Sequence, residues 1–253
     1  MIASAAIQIQ ALTGIGDIRA GDDLAAVFAP SIHAPILTTD VLVVAQKAVS
    51  KAEGRLVRLA DVVPTAEAIE LARVSGKDAR LVQLILSESV AVVRTAPGVL
   101  IVRHRLGLVM ANAGIDQSNI EDDDGETALL LPLDPNGSAA RLREGLGARF
   151  AAAPAVIVSD SFGRPWRMGT VNVAIGAAGL PSLVDLRGRP DRSGRLLMAT
   201  EVAFADAVAA AAGLAMGEAA EGRPAVLVRG LDWTAAERDA TALIRPVDQD
   251  LFR

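Results

Sequence analysis

Apolar and polar positions alternate along this chain in short blocks that read as strands and helices in mixed order. Asp40 opens the run Val41-Leu42-Val43-Val44-Ala45, uninterrupted over one strand length, which predicts a strand buried on both faces. Ile7 and Ile9 alternate weakly and suit an edge strand entering the turn Gly14-Ile15-Gly16-Asp17. Gly21-Asp22-Asp23 caps a short helix through Phe28; Pro64-Thr65 starts another that Gly76 ends. A helix from Asp78 to about Ser89 places Leu81, Val82, Leu84 and Ile85 on one face. Val90 to Thr95 and Val99 to Arg103 flank Ala96-Pro97-Gly98 as a hairpin. Leu108 to Ala111 is a strand leading into the loop Asn112 to Asn119, and Glu121 to Glu126 is a solvated acidic loop. Ala128 to Leu133 is a strand, Asp134 to Gly137 a turn, and Ser138 the cap of a helix carrying Leu142, Leu146 and Phe150. Ala155 to Val158 is a strand that hands over to a loop from Ser159 to Arg167. The longest helix runs from about Met198 to Met216, broken by Gly213, and Pro224 precedes a last strand, Ala225 to Arg229. There is no regular βαβ alternation, so the expected class is α+β with mixed or antiparallel sheets.

Composition narrows the chemistry. The 253 residues suit one large domain or two modest ones. The apolar share is 51% and mean hydropathy +0.37. Much of it is alanine, and no run reaches the roughly 18 apolar residues of a membrane span. The stretch Met1 to Ile15 lacks a basic segment, its first cation being Arg19, so no signal peptide and a cytoplasmic location are expected. A net charge of −5 and only seven aromatics argue against a nucleic-acid partner. The absence of cysteine removes thiolate chemistry, and two histidines, His33 and His104, exclude a multi-histidine metal centre. Neither a G-x-S-x-G elbow nor a Walker A or G-x-G-x-x-G pattern is present. Carboxylates, hydroxyls, amides, lysine and arginine remain.

Asp116 and Asp160 each follow an apolar strand in a loop rich in small polar residues. Two such carboxylates with the neighbouring Ser161 hydroxyl make a hard-oxygen site for Mg²⁺ or Mn²⁺; alternatively, each caps its own turn. Lys47 and Lys51, around Ser50 in a turn after the buried strand, either reach a polyphosphate or form surface pairs with Glu53. Arg164 and Arg167, beside Trp166, form either an anionic-substrate loop or an anchored loop with Trp166 in the core. Asn119 orients a nucleotide base or closes a turn, and His104 packs or hydrogen-bonds locally. These residues together point to a metal-assisted enzyme acting on a phosphorylated substrate.

An ordered set of segments resembles the coenzyme F420-0:L-glutamate ligase (F420 gamma-glutamyl ligase) family. They are Gly21-Asp22-Asp23-Leu24, Asp40 to Val44, Val49-Ser50-Lys51-Ala52-Glu53-Gly54-Arg55, Ala111 to Asn119, and Leu129-Leu130-Leu131-Pro132. Val158-Ser159-Asp160-Ser161-Phe162-Gly163-Arg164, Val173-Ala174-Ile175-Gly176, Met216-Gly217-Glu218 and Val226 to Gly230 complete it. The resemblance implies GTP-dependent addition of L-glutamate to F420-0 through an acyl phosphate, extension by γ-linkage, and release of GDP and phosphate. It implies the stand-alone form without a reductase-like domain, one unit over 1–253 with a two-part fold, and an intertwined homodimer. By position, Asp116, Asp160, Ser161 and Glu218 match ligands of two Mg²⁺ or Mn²⁺ ions, with K⁺ a further expected ion. Ile15, Gly16, Asp17, Ile18, Gln46, Lys47, Lys51 and Asn119 match GTP-contacting positions, as do Met216, Gly217, Glu218, Ala219, Ala220, Glu221, Gly222 and Arg223. Two departures stand out. Gln46 and Lys47 replace small hydroxyl residues common in relatives, and Thr170-Val171-Asn172 replaces Gln-Thr-Asp. Competing readings are a divalent-metal phosphohydrolase, distinguished by GDP release without acceptor or glutamate, and a non-catalytic nucleotide- or deazaflavin-binding module.

Overall fold

The apolar run after Asp40 forms the middle strand of a five-stranded sheet. The computed structural model describes residues 6–118 and 125–250. In chain order its elements are β1 (Gln8–Ala11), α1 (Leu24–Phe28), β2 (Val41–Ala45), α2 (Gln46–Ala52), β3 (Leu56–Arg58), α3 (Ala66–Ser75), α4 (Ala79–Ser87), β4 (Ser89–Ala96), β5 (Val99–His104) and β6 (Val109–Ala111). They continue as β7 (Thr127–Leu129), α5 (Pro135–Gly147), β8 (Ala155–Arg164), β9 (Arg167–Ala178), β10 (Leu183–Asp185), β11 (Glu201–Ala203), α6 (Phe204–Met216) and β12 (Ala225–Arg229). The main sheet has the order β1-β12-β2-β8-β9, with β2 and β8 parallel and the other neighbours antiparallel. This mixed sheet with helices on both faces agrees with the α+β expectation.

The two-residue period of β2 divides the core. Leu42 and Val44 face one side with Val156, Val158 and Leu227, beneath Phe28, Leu142 and Leu146 of α1 and α5. Val41 and Val43 face the other with Ile157, Val226 and Val228, beneath Val208, Ala209 and Ala212 of α6. Alanine on α6 lets that helix lie close to the sheet. Each fully buried Val or Leu contributes about 1.5–3 kcal/mol relative to exposure. Between β2 and β8 the chain forms a smaller unit: α3 and α4 pack their buried faces on the sheet β4-β5-β6 through Ala68, Val82, Ile85, Leu100 and Val102. Among the described residues, no helix is long and apolar enough to cross a membrane.

Glu88, at the end of α4, ties the smaller unit to the rest. Its carboxylate accepts from Arg55 Nη2 at 2.9 Å and Arg105 Nε at 3.0 Å, with the fully buried His104 Nε2 at 3.4 Å. Arg55 also donates to the carbonyl of Leu131. Burial opposes the charge of Glu88, but the histidine contact and the two guanidinium groups prevail and hold its carboxyl at about 2. His104 Nδ1 accepts from the N–H of Leu106, the local role expected for it.

Several expectations are corrected. Residues 46–52 form helix α2 rather than a turn, because buried Gln46 and Ser50 satisfy each other, Ser50 Oγ donating to Gln46 Oε1 at 2.9 Å. Asp134 rather than Ser138 caps α5, with Pro135 in its first turn, while Ser138 Oγ bonds Glu53. β8 runs on through Arg164 instead of yielding to a loop, and β7 ends at Leu129 rather than Leu133. The last long helix begins at Phe204, preceded by β11, and continues through Gly213 unbroken. Trp166 lies outside the core, 89% exposed at the turn between β8 and β9.

Candidate functional site

The parallel pairing of β2 and β8 sets the last residue of β2, Ala45, beside Ser159, midway along β8. A cavity of about 670 Å³ opens there. It is walled by the loop Ile15, Gly16, Asp17 and Ile18, by Gln46 and Lys47 at the start of α2 and Lys51 in its last turn, and by Asp116 and Ser118. Ser159, Asp160 and Ser161 of β8 and Asn172 of β9 form its floor; Met216, Gly217, Glu218, Ala219, Ala220, Glu221, Gly222 and Arg223, after α6, form its rim.

Asp160 therefore lies within a strand, where a register shift between Val158 and Ser159 alters the pairing with β9. Its Oδ1 accepts from the N–H of Ser161 at 2.9 Å. Burial pushes its carboxyl up to about 7 despite that bond, and the like charges of Asp116 and Glu218 add to the rise. Asp116 is also disfavoured by burial, but the Lys47 ammonium and the N–H of Ser118 outweigh this and hold its carboxyl below the ordinary value. Lys47 Nζ lies 2.6 Å from Asp116 Oδ2 and donates to Ser118 Oγ at 2.8 Å. Lys47 thus pairs with Asp116 rather than Glu53, which instead engages Ser138, Arg141 and the N–H of Leu133. Lys51 lines the cavity without an ion pair among the described residues.

Glu218, beyond the end of α6, is held by donors from β8 and β9. Ser161 Oγ donates to its Oε2 at 2.5 Å and Asn172 Nδ2 to its Oε1 at 2.7 Å. Among the described residues, no three His, Cys, Asp or Glu side chains cluster closely enough to hold a metal ion by themselves. The donors present nevertheless suit a hard divalent cation that takes its remaining ligands from a phosphorylated substrate: carboxylates of Asp116, Asp160 and Glu218 and the Ser161 hydroxyl. The ammonium of Lys47 already lies against one of these carboxylates, that of Asp116. The cavity counts three cations, Lys47, Lys51 and Arg223, against five carboxylates, Asp17, Asp116, Asp160, Glu218 and Glu221.

Every expected nucleotide or metal position within the described residues lines this one cavity. Asn119 lies outside the described residues. Arg164 and Arg167 do not join it: they flank the β8–β9 turn, and Arg164 Nη2 donates to the carbonyl of Met168. Ser118, Ser159 and Asn172 were not anticipated as parts of the wall. The signal that could have found Asn172 is Gly213, an otherwise unfavourable residue inside α6: a Cβ there would come within 2.6 Å of Asn172 Nδ2.

Known proteins resemble this chain over the segment that contains the cavity residues. The F420-0:Gamma-glutamyl ligase family matches residues 14–230, which span every described wall residue. The chain is 42% identical to the coenzyme F420:L-glutamate ligase of Methanothermobacter thermautotrophicus, over 98% of this chain and 99% of that protein. It is 45% identical to the protein of the same description from Methanopyrus kandleri over 93% of each chain. Identity to that of Methanocaldococcus jannaschii is 40%, over 87% of this chain and 86% of the relative. With its cavity residues inside the matched span and near-full-length relatives at this identity, the chain belongs to the F420-0:gamma-glutamyl ligase family.

Proposed function

We propose that this protein is a GTP-dependent ligase that joins L-glutamate to coenzyme F420-0 and then extends the product by γ-linkage. The observation that carries the reading is the cavity itself, which sets cationic side chains beside an excess of carboxylates at one sheet edge. A polyphosphate would be repelled by that excess unless it entered with divalent cations, and the same carboxylates suit such ions. The family description supports F420-0 as acceptor, and the names of the relatives support L-glutamate as the amino acid.

A carboxylate does not condense with an amine in water until one of its oxygens becomes a leaving group. Transfer of the GTP γ-phosphoryl to the F420-0 carboxylate forms the acyl–oxygen–phosphorus link and releases GDP. The glutamate amine then attacks the acyl carbon, and the products are the amide, inorganic phosphate and a proton. No enzyme nucleophile is needed, in keeping with a chain without cysteine. Bound Mg²⁺ or Mn²⁺ would neutralise charge on the phosphate oxygens and ease departure of GDP. Asp116, Asp160, Ser161 and Glu218 would hold those ions. Lys51 and Arg223 line the cavity and would face the phosphates as point charges, as would Lys47 if its pairing with Asp116 were relieved. We also propose a homodimer. Its support is the family membership, because Ile85 is buried in the protomer's own core and Leu86 and Val92 pack against that core, leaving little apolar surplus there.

The test is mass spectrometry of the purified protein with GTP, F420-0, glutamate and Mg²⁺ or Mn²⁺. Product heavier by a glutamyl residue, matched by GDP, is expected. GDP released equally fast without acceptor and glutamate, with no heavier product, would establish a phosphohydrolase instead.

A further inference from the structure

Glu218 is solvent-exposed and sits two residues beyond the end of α6, where a glutamate ordinarily samples many rotamers. Here it does not, because donors on two neighbouring strands grip both of its oxygens. Ser161 and Asn172 are register partners across β8 and β9, and one bonds Oε2 while the other bonds Oε1. Asn172 is itself buried, and its Oδ1 accepts from Ser159 Oγ at 3.3 Å. That contact sets the amide orientation and leaves Nδ2 for the carboxylate.

The framework around Asn172 is matched to this contact. Asp206, in the first turn of α6, accepts from the N–H of Ala174 and fastens the start of the helix to β9. Gly213, in its last turn, leaves the space that Asn172 fills; a Cβ there would stand 2.6 Å from Nδ2. Gly217 then turns the chain with φ +82°, and Glu218 meets the amide. An aspartate at 172 could not donate, and it would set a second negative charge against Glu218.

We infer that Asn172 is a positioning residue for Glu218: through its amide it fixes the carboxylate toward the cavity and thereby sets the affinity of this wall for a divalent cation. The inference rests on the metal-assisted reading above. A group that orients a metal-binding carboxylate affects affinity without touching the metal, and removing such a group typically weakens binding about 10–100-fold.

The test uses Mn²⁺ alone, titrated into the full-length protein without nucleotide and followed by the electron paramagnetic resonance signal of the free ion. The variants are Asn172→Ala, Asn172→Leu, which keeps the bulk against Gly213, Glu218→Gln, and Asn172→Leu combined with Glu218→Gln. Circular dichroism confirms which are folded. The expected result is weaker Mn²⁺ binding by about tenfold or more in both Asn172 variants and in Glu218→Gln, with no further loss in the double variant. If Glu218→Gln weakens binding while folded Asn172→Leu stays within about twofold of wild type, Asn172 is merely structural and the inference falls alone. A further loss in the double variant as large as in the single one overturns it too, since Asn172 would then act by another route. Unchanged binding in Glu218→Gln removes Glu218 from the metal-assisted reading, and the inference with it.

Discussion

Replacing Asp160 by asparagine separates the charge of this carboxylate from its shape. In the metal-free protein its carboxyl is pushed from 3.8 up to about 7, chiefly by burial. For an acid whose folded value is raised, the native state holds the proton more tightly than the unfolded chain does. Stability therefore falls as pH rises from 3.8 through 7, and the cost is complete above that. At 1.36 kcal/mol per unit this amounts to up to about 4 kcal/mol at pH 8. Asparagine carries no such cost. With chelator present, Asp160→Asn should melt above wild type at pH 8 and approach it toward pH 4. At about 2–4 °C per kcal/mol for a chain of this size, the gap reaches roughly 8–16 °C. Mn²⁺ should raise the melting point of wild type far more than that of the variant, because the cation removes the penalty only where there is a charge to neutralise. Glutamate ligation should nearly vanish, since the amide keeps one acceptor oxygen but loses the charge a hard cation selects. The paired assay is calorimetry with and without metal alongside product formation. A variant that melts below wild type at pH 8 without metal, or ligates at the wild-type rate, refutes the reasoning.

Lys51→Ala should raise KM for GTP and lower turnover while the circular dichroism spectrum stays native; loss of a charged hydrogen bond costs about 1.5–3 kcal/mol, roughly ten- to a hundredfold in kcat/KM. Unchanged GTP kinetics would leave Lys51 a bystander. Glu88, held at about 2 against an ordinary 4.5, contributes about 3 kcal/mol that is present above pH 4.5 and lost as pH falls from there through 2. Urea midpoints should therefore drop steeply between pH 5 and about 2.5 in wild type and change much less in Glu88→Gln, which starts lower because Arg55 and Arg105 lose their counter-charge. Light scattering should give twice the 26.2 kDa chain mass at micromolar protein; a clean monomer would exclude the proposed dimer.

Where side-chain pattern and burial coincide, the fold was legible from the residues. The unbroken apolarity of Val41 to Ala45 announced the central strand, and Gly76 marked the end of α3 in the left-handed conformation it adopts there. Legibility failed where polar residues are buried or line the cavity. β8 was expected to stop at Val158 because Ser159, Asp160 and Ser161 follow; they stay extended because β9 pairs with them while their polar groups serve the wall. α2 was missed because its buried side includes Gln46 and Ser50, a self-satisfied pair that looks polar in sequence. Much of the cavity is legible through ordered motif resemblance rather than periodicity, in which Asn172 stands only as a departure from those motifs. Its role depends on a partner helix and a glycine far along the chain, which no local pattern encodes.

The parallel ladder between β2 and β8 has a kinetic consequence. Its two strands are separated in sequence by the whole smaller unit, from β3 through β7, and then by α5. Closing so long a loop must precede the contacts that reward it, and such non-local pairing is slow. Lys47 just past β2 and Asp160 on β8 therefore come together only after that late step. On the proposed reading, a partly folded chain would lack the assembled cavity that takes cation and nucleotide, so neither ligand would template the fold. Ligands should slow unfolding of the native protein while leaving its refolding rate unchanged, and the appearance of ligand binding during refolding should report completion of the central sheet.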